Sequence, residues 1–304
     1  MDQLDDILLE TLSFYNPLSR EEIIAQMDTE KIQACPNFTI EDLDNRILQL
    51  IRRDAIKVGE RKGDRTYVKN FPTRTKWISH RGIATDFTEN SLGAFQAAVE
   101  NGFDCLETDL RLTSDGHIVL CHDSSLCSIS MSDRVVSQTS RSELSKIILN
   151  KGDGLLFFDQ FIDQFSEIDF TLDIKKESGI EVINKLITYN LDLSKIRFLL
   201  WDKFQENYLL EKFPGALVYA RKVECYRSVL AIVCGLSALA GINENKIYAL
   251  PPKIKNLKIL SPFLVEKYQK SGAKVLGYLP SSEDEVNLCI ESKVAEILLN
   301  GPKI

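Results

Sequence analysis

Two kinds of side chain that do acid-base and metal chemistry recur at the ends of short apolar runs in this sequence. His80 and His122 each end such a run, as do the carboxylates of Glu107, Asp109 and Asp173. An imidazole can accept or donate a proton near neutral pH, and carboxylate oxygens are the ligands that hard divalent cations prefer. These residue types indicate acid-base chemistry beside a cation.

The spacing of the acids strengthens this interpretation. Glu107 and Asp109 lie two residues apart, so a strand would place both on one face, where they repel each other unless positive charge lies between them. A cation with oxygen ligands, Mg²⁺ or Ca²⁺, is the natural partner, and Asp173 is a third ligand from the next barrel strand. Arg81 and Lys175 add donors suited to a phosphate. Any one of these residues could simply cap a strand end, but the set together favours a site.

The apolar runs that carry these residues alternate with helical stretches from Trp77 onward, a pattern typical of repeated βα units. Eight of them are predicted strands, at residues 77–80, 103–109, 168–174, 196–200, 216–220, 247–250, 274–278 and 294–299. This number of strands in about 228 residues predicts an α/β fold, a closed (β/α)8 TIM-type barrel whose active site lies at the C-terminal strand ends. The run from Ile118 to His122 is predicted to double back as a hairpin off the second strand.

The stretch from His80 to Asp123 closely resembles the signature of the glycerophosphodiester phosphodiesterase family. The matching segments are His80-Arg81-Gly82, Glu89-Asn90-Ser91, Ala94-Phe95, Ala98, Gly102-Phe103, Glu107-Thr108-Asp109, Thr113-Ser114-Asp115-Gly116 and Val119 to Asp123. The resemblance continues more weakly over the rest of residues 77–304.

The resemblance implies metal-dependent cleavage of a small glycerophosphodiester to an alcohol and glycerol phosphate. It gives roles to seven residues: His80 and His122 as general acid and base, Glu107, Asp109 and Asp173 as metal ligands, and Arg81 and Lys175 as phosphate ligands. The attacking group is water or a neighbouring hydroxyl of the substrate. A phospholipase D-like or lysophospholipase D-like activity and a non-catalytic regulatory or scaffold barrel remain as alternatives.

Three positions depart from the family pattern. Asp173 replaces the usual glutamate, Tyr278 stands where a tryptophan lines the glycerol side, and Asn300 follows the last strand in place of a Thr-Asp pair. Tyr278 therefore either lines the substrate pocket or packs in the core. The late departures are expected to remove polar groups from the far wall of the site.

Two further segments have structural interpretations. Glu89 and Asn90 are expected to lie at the start of the first barrel helix. A supporting role in catalysis is the less favoured alternative. Residues 124–166 correspond to an insertion over the pocket, and its apolar Leu155 to Phe158 and Phe161 either flank a lipid tail or form helix core, the second being favoured.

Residues 1–70 resemble a winged-helix module, joined by a linker at 71–76 to the barrel at 77–304. The periodicity predicts helices at Leu4–Phe14, Ser19–Met27 and Thr39–Arg53, and strands at Ala55–Val58 and Thr66–Val68 around a turn at Gly59–Asp64. The module holds 10 Lys and Arg against 14 Asp and Glu. That balance argues against nucleic acid and favours a protein partner or dimer contact through residues 1–70.

The bulk composition sets the remaining expectations. The net charge is -7, and no run approaches the roughly 20 apolar residues that span a bilayer. The acidic start of the sequence is unlike a secretory signal. Seven cysteines without paired spacing fit reduced, mostly buried thiols, so a cytoplasmic location is expected.

Overall fold

The computed structural model of the chain describes residues 4, 7–8, 11–12, 18–27, 39–52, 56–61, 63–69, 75–255 and 257–303. The chain divides into two compact units. The smaller comprises Met1–Thr75 with Gln269–Gly272, and the larger comprises Lys76–Tyr268 with Ala273–Ile304.

The smaller unit combines helices with a three-stranded antiparallel sheet. Its helices are α1 (Arg20–Gln26) and α2 (Ile40–Arg52), and its strands are β1 (Leu18–Ser19), β2 (Ile56–Arg61) and β3 (Asp64–Lys69), with β3 in the centre. Leu4, Ile7, Leu8 and Thr11 are also helical, and the rest of the helix predicted at Leu4–Phe14 lies largely outside the described residues. Side chains from the helices and the sheet share one buried apolar cluster.

Reciprocal caps begin both helices where the sequence predicts helix starts. The Ser19 hydroxyl accepts a hydrogen bond from the Glu22 amide, and the Glu22 carboxylate accepts one from the Ser19 amide at 2.7 Å. Thr39 and Asp42 make the same pair of contacts at the start of α2. Such capping boxes satisfy backbone donors that the first helical turn leaves without partners.

The predicted hairpin turn at Gly59–Asp64 is wrong, because the strands are longer than expected. β2 continues to Arg61 and β3 starts at Asp64, so Glu60 faces Arg65 and Arg61 faces Asp64 across the ladder. Opposite charges at facing positions stabilise an antiparallel pair, which turn composition alone does not reveal. The winged-helix interpretation stays a prediction, and Ala55 lies outside the described residues.

The larger unit is a closed barrel of eight parallel strands. They are β4 (Lys76–His80), β5 (Cys105–Leu112), β7 (Asp169–Ile174), β8 (Ile196–Leu199), β9 (Leu217–Tyr219), β10 (Lys246–Leu250), β13 (Lys274–Tyr278) and β14 (Glu296–Leu299). Each pairs with the next in this order, and β14 pairs with β4 to close the ring. The predicted TIM-type barrel is therefore confirmed, with all eight strands at the expected places.

The larger unit also contains two short hairpins, one formed by β5 with β6 and one formed by β11 with β12. β6 (Ile118–Leu120) runs antiparallel to β5, with Leu110 facing Leu120, which confirms the predicted hairpin. β11 (Lys253–Ile254) and β12 (Leu257–Lys258) form the second hairpin after β10.

Helices alternate with the barrel strands. They are α3 (Leu92–Glu100), α4 (Arg141–Leu144), α5 (Phe158–Gln164), α6 (Gly179–Leu186), α7 (Lys203–Lys212), α8 (Lys222–Val233), α9 (Pro262–Lys270) and α10 (Glu283–Glu291). In the part of the chain that the structure describes, no helix has the length and apolar character needed to span a membrane.

The apolar residues Leu155 to Phe158 and Phe161 of the segment 124–166 belong to the core. Leu155, Leu156, Phe157, Phe158 and Phe161 are all buried. The Phe161 ring packs against Phe95 of α3 with ring centres 4.9 Å apart. These side chains have no free face for a lipid tail, so the core interpretation is confirmed.

A buried ionic cluster lies at the N-terminal ends of the barrel strands. The guanidinium of Arg197 lies 2.8 Å from the Glu296 carboxylate and 3.2 Å from that of Asp169, and Lys76 reaches Asp169 at 2.7 Å. Burial by itself lowers the pKa of Arg197, but Glu296 and the other neighbours raise it overall. The cluster thus links β7, β8 and β14 through the buried guanidinium of Arg197.

Replacing the central arginine should destabilise the barrel strongly. Arg197→Met leaves Glu296 buried without its cation, so we expect a loss of about 3–5 kcal/mol in the free energy of unfolding. Urea denaturation followed by tryptophan fluorescence measures this, since both tryptophans, Trp77 and Trp201, lie in the barrel. The matched control is Arg134→Met, which breaks an exposed pair with Glu143 and should change little. Equal stability of the two variants would contradict the role of the cluster.

Candidate functional site

The strand register brings the predicted site residues to one end of the barrel. His80, the last residue of β4, faces Glu107 of β5, and Asp109 of β5 faces Asp173 of β7. Because Glu107 and Asp109 are separated by one residue, both point to the same face of their strand. All four side chains therefore meet at the C-terminal mouth of the barrel, where active sites of this architecture lie.

The three acids form a compact buried cluster. One oxygen from each of Glu107, Asp109 and Asp173 lies within 4.8 Å of the others, and all three residues are buried. Burial and the two neighbouring carboxylates raise the pKa of Glu107, and burial also raises that of Asp173. Three converging oxygen ligands that are hard to ionise without nearby positive charge suit a hard divalent cation.

Two cationic side chains already lie against these acids. The ammonium of Lys175 is 2.6 Å from both Asp109 and Asp173, and the Arg81 guanidinium is 3.1 Å from Asp109. Burial raises the pKa of Asp109, but Lys175 and Arg81 outweigh it, so the pKa is lowered overall. Both cations predicted to bind a phosphate thus contact carboxylates in this structure, and Arg81 also reaches Glu89 at 3.1 Å.

A strained turn fixes Arg81 over the cluster. Its φ angle is 59°, in the left-handed region, and its amide donates to Glu107 Oε2 at 3.1 Å. Gly82 follows at φ 81°, and a Cβ there would lie 2.6 Å from the backbone of Ala94. Only glycine fits at position 82, so the turn that places Arg81 beside Asp109 requires Gly82.

His80 is held by an amide at the end of the last strand. Its Nδ1 hydrogen-bonds to Asn300 Oδ1, and its Nε2 lies 3.8 Å from Glu107 Oε2. Acceptance by Asn300 puts the ring proton on Nδ1 and leaves the Nε2 lone pair facing the site. Burial and the nearby Arg81 guanidinium lower the pKa of His80 to about 4.

His122 is more exposed and has a carboxylate as its partner. Its Nδ1 lies 2.8 Å from Asp123 Oδ1, and Ser128 donates to the other Asp123 oxygen at 2.7 Å. The Arg111 guanidinium donates twice to the backbone carbonyl of His122, at 2.9 and 2.7 Å. Both the ring and the backbone of this histidine are therefore fixed by charged neighbours.

The expectation that Glu89 and Asn90 open the first barrel helix is wrong. α3 begins at Leu92, and its capping residue is Ser91, whose hydroxyl accepts from the Ala94 amide. Asn90 adopts φ 56° and is buried, and its amide donates to Asp109 Oδ2 at 2.9 Å. Asn90 therefore does not cap the helix, because its side chain hydrogen-bonds to Asp109 instead.

The aromatic side chains of Trp201 and Tyr278 line a cavity at this end of the barrel. Tyr278, predicted for the substrate pocket, is 42% exposed and lines a cavity of about 670 Å³ together with Trp201. The Trp201 indole N–H donates to Asp173 Oδ1 at 2.8 Å. The structure thus places Tyr278 at a cavity wall and not in the core.

Sequence reasoning assigns no site role to Asp123, Trp201 or Asn300, which contact the predicted residues, and it gives Asn90 only a secondary supporting role. Asn300 is among the departures expected to remove polar groups from the far wall, yet it supplies the hydrogen bond to His80. Position near a strand end is the available signal for Asn300 and Trp201, because each lies within two residues of the end of a barrel strand. No spacing rule points to the contact of Asn90 with Asp109, which is 19 positions away.

Comparison with known proteins identifies the family of the larger unit. The profile of the Glycerophosphoryl diester phosphodiesterase family matches residues 80–304. A glycerophosphodiester phosphodiesterase of Caldanaerobacter subterraneus is 26% identical over 244 residues, covering 76% of this chain and 96% of the relative. A probable glycerophosphodiester phosphodiesterase 2 of Mycobacterium tuberculosis is 31% identical over 237 residues, 73% of this chain and 85% of its own length.

A solved structure shares the fold. The Oleispira antarctica phosphodiesterase in complex with the product sn-glycerol-3-phosphate superposes with a TM-score of 0.58 at 17% identity, covering 75% of this chain and 93% of that one. Together, the barrel and the family match define the class of the protein, a phosphoric diester hydrolase. More narrowly, the chain belongs to the glycerophosphoryl diester phosphodiesterase family.

Removing the Lys175 ammonium should make stability depend on a divalent cation. In Lys175→Met, Asp109 and Asp173 lose their nearest positive charge, so Mg²⁺ or Ca²⁺ has more repulsion to relieve. We expect the rise in Tm from chelator to saturating metal to be larger in the variant than in the wild type. Lys176→Met is the control, because that side chain is 69% exposed and pairs with Asp202. Equal rises in all three proteins would show that the cation does not bind at these acids.

Proposed function

We propose that the barrel hydrolyses a glycerophosphodiester to an alcohol and glycerol phosphate with the help of Mg²⁺ or Ca²⁺. The observation that carries the proposal is the buried cluster of Glu107, Asp109 and Asp173, whose oxygens converge within 4.8 Å. The product seen with the Oleispira antarctica phosphodiesterase, sn-glycerol-3-phosphate, is the product that this reaction forms.

Three carboxylates would hold the cation, and the chain's own cations would meet the substrate. When bound, the metal would neutralise charge on the phosphoryl oxygens. Arg81 and Lys175 lie within hydrogen-bonding distance of the same acids, so an anionic phosphodiester entering the mouth would find both as donors. If Arg81 and Lys175 exchanged their contacts with the carboxylates for contacts with the phosphate, their positive charge would stay paired with negative charge throughout.

The two histidines differ in a way that suggests separate roles. The buried His80 has cationic neighbours and a neutral amide partner, so it suits the general base that takes a proton from the attacking hydroxyl or water. His122 is paired with the Asp123 carboxylate, which balances positive charge on the ring, so it suits the general acid that protonates the leaving alkoxide.

Two alternatives have different support. A phospholipase D-like or lysophospholipase D-like activity uses the same groups and differs in the lipid part of the substrate. A non-catalytic scaffold barrel is disfavoured, because both histidines have hydrogen-bonding partners that leave one ring nitrogen available at the mouth. A cytoplasmic location, inferred from the cysteine pattern, is part of the proposal.

Loss of either histidine should remove most of the activity. We expect His80→Ala and His122→Ala to lower kcat for glycerophosphocholine by about 100- to 10,000-fold, as is typical of general acid-base groups. The assay is release of glycerol phosphate with Mg²⁺ or Ca²⁺ and with a chelator. His117→Ala is the control, because the third histidine lies in the turn before β6 near Arg141. A wild type that is inert on diverse diesters with either metal would favour the scaffold.

For the smaller unit we propose a protein partner or dimer contact through residues 1–70, within a winged-helix-like module. Residues 1–70 contain 14 acidic and 10 basic residues, and this excess of negative charge favours a protein partner over a nucleic acid. Exposed apolar side chains at Leu48 of α2 and Val58 of β2 are suited to such a contact.

Duplex binding across a salt series tests the choice for the smaller unit. We expect fluorescence anisotropy to show no binding whose affinity falls with salt, because few phosphates can be neutralised by this surface. Sedimentation velocity of the full chain and of Leu48→Asp measures self-association in parallel. Tight duplex binding with a steep salt dependence would replace the protein-contact proposal.

A further inference from the structure

Each oxygen of the buried Asp173 carboxylate has its own partner in the chain. The Trp201 indole N–H donates to Oδ1 at 2.8 Å, and the Lys175 ammonium donates to Oδ2 at 2.6 Å. Asp173 is buried, so these two contacts satisfy much of its charge. A cation that binds the acid cluster therefore meets an Asp173 that the chain already holds in place.

The two partners of Asp173 differ in how they respond to a cation. Lys175 carries a positive charge and also lies 2.6 Å from Asp109, so a divalent cation among these acids would repel it. The indole of Trp201 is a neutral donor and has no such reason to leave. Arrival of a cation would thus free Oδ2 of Asp173, while Oδ1 stays hydrogen-bonded to Trp201.

The junction between β8 and α7 fixes the backbone of Trp201. Trp201 lies two residues after β8, and its amide donates to the side-chain oxygen of Gln205 at 3.3 Å. The next residue, Asp202, caps α7 by accepting from the Gln205 amide at 2.9 Å. The Trp201 side chain is 55% exposed, so packing alone does not orient it. The hydrogen bond to Asp173 is the polar contact that directs the indole toward the acids.

A carboxylate that offers one oxygen suits Mg²⁺ better than Ca²⁺. Mg²⁺ demands an octahedron of oxygens at about 2.0–2.1 Å and keeps several waters, so it needs few protein oxygens. Ca²⁺ takes about six to eight oxygens at 2.3–2.6 Å and readily accepts both oxygens of one carboxylate. Asp173 can give both oxygens only if it gives up the hydrogen bond from Trp201. That contact therefore costs Ca²⁺ more than it costs Mg²⁺.

We propose that Trp201 is a positioning residue that shifts the cation preference of the acid cluster toward Mg²⁺ by holding one oxygen of Asp173. The inference rests on the proposed metal-assisted hydrolysis and names the residue that selects the cation of that same site. Trp201 acts through Asp173 and needs no contact of its own with the cation.

Trp201→Phe tests this role, because it keeps an aromatic ring and removes only the N–H donor. Titration calorimetry measures the affinity of the full chain for Mg²⁺ alone and for Ca²⁺ alone. We expect the variant to bind Mg²⁺ about tenfold more weakly, as is typical when a hydrogen-bonding partner of a metal ligand is lost. Its affinity for Ca²⁺ should be kept, because Asp173 can then give both oxygens. Equal changes for the two cations, or no change for either, would overturn the proposal.

The other tryptophan provides the matched control. Trp77→Phe makes the same substitution in β4, where the ring lies 5.8 Å from the Lys303 ammonium, and should leave both affinities unchanged. It also leaves Trp201 as the single tryptophan of the sequence. Mg²⁺ should then change the fluorescence of Trp201, because the ammonium of Lys175, now 5.5 Å from the ring centre, would move. Calorimetric binding without a fluorescence change would place the cation elsewhere and overturn the proposal.

These affinities are measured without substrate, which separates the inference from the proposed function. A shift of the Mg²⁺ to Ca²⁺ affinity ratio in Trp201→Phe supports the role of Trp201 even if no diester is hydrolysed. Hydrolysis of glycerophosphocholine by a wild type whose ratio equals that of the variant would overturn this role and leave the proposed function standing. Trp201→Leu, which also lacks the donor, decides the outcome if Trp201→Phe does not fold.

Discussion

Three carboxylates held within 4.8 Å of one another inside a protein require positive charge among them, and the mouth of this barrel is built to provide it. Lys175 lies between Asp109 and Asp173, and Arg81 lies over Asp109 from a turn that only the neighbouring Gly82 permits. The cluster is thus charge-balanced by the chain itself. A divalent cation and an anionic diester arriving together would exchange one set of balanced contacts for another.

The two ends of the barrel use buried charge for different purposes. At the N-terminal ends, the guanidinium of Arg197 pairs with the carboxylates of Glu296 and Asp169. At the C-terminal ends, one oxygen from each of the three acids lies within 4.8 Å of the others. The ion pairs at the N-terminal ends stabilise the barrel. At the C-terminal ends, the ion pairs of Arg81 and Lys175 with the acids could be exchanged for contacts with a ligand.

Departures from the family pattern take on meaning in the folded chain. Asp173 is one methylene shorter than the usual glutamate, and both of its oxygens are engaged, one by Lys175 and one by the Trp201 indole. Asn300 replaces an acid near the last strand and gives His80 a neutral partner. Tyr278 keeps an aromatic ring at the wall of the cavity that Trp201 also lines. These late-barrel positions therefore carry fewer polar groups than the family pattern, but Asn300 still contacts the site through its hydrogen bond to His80.

The sequence by itself determined the barrel and its eight strands, because strand periodicity is a local property. It also predicted seven site residues from polar groups at strand ends, and their roles came from the family resemblance. It also placed the caps of α1 and α2, which depend on residues three positions apart. Only the tertiary structure decided that Asn90 donates to Asp109, that Asn300 accepts from His80 and that Trp201 donates to Asp173. Those contacts join residues 19, 220 and 28 positions apart, and packing between strands, which no local pattern encodes, brings them together.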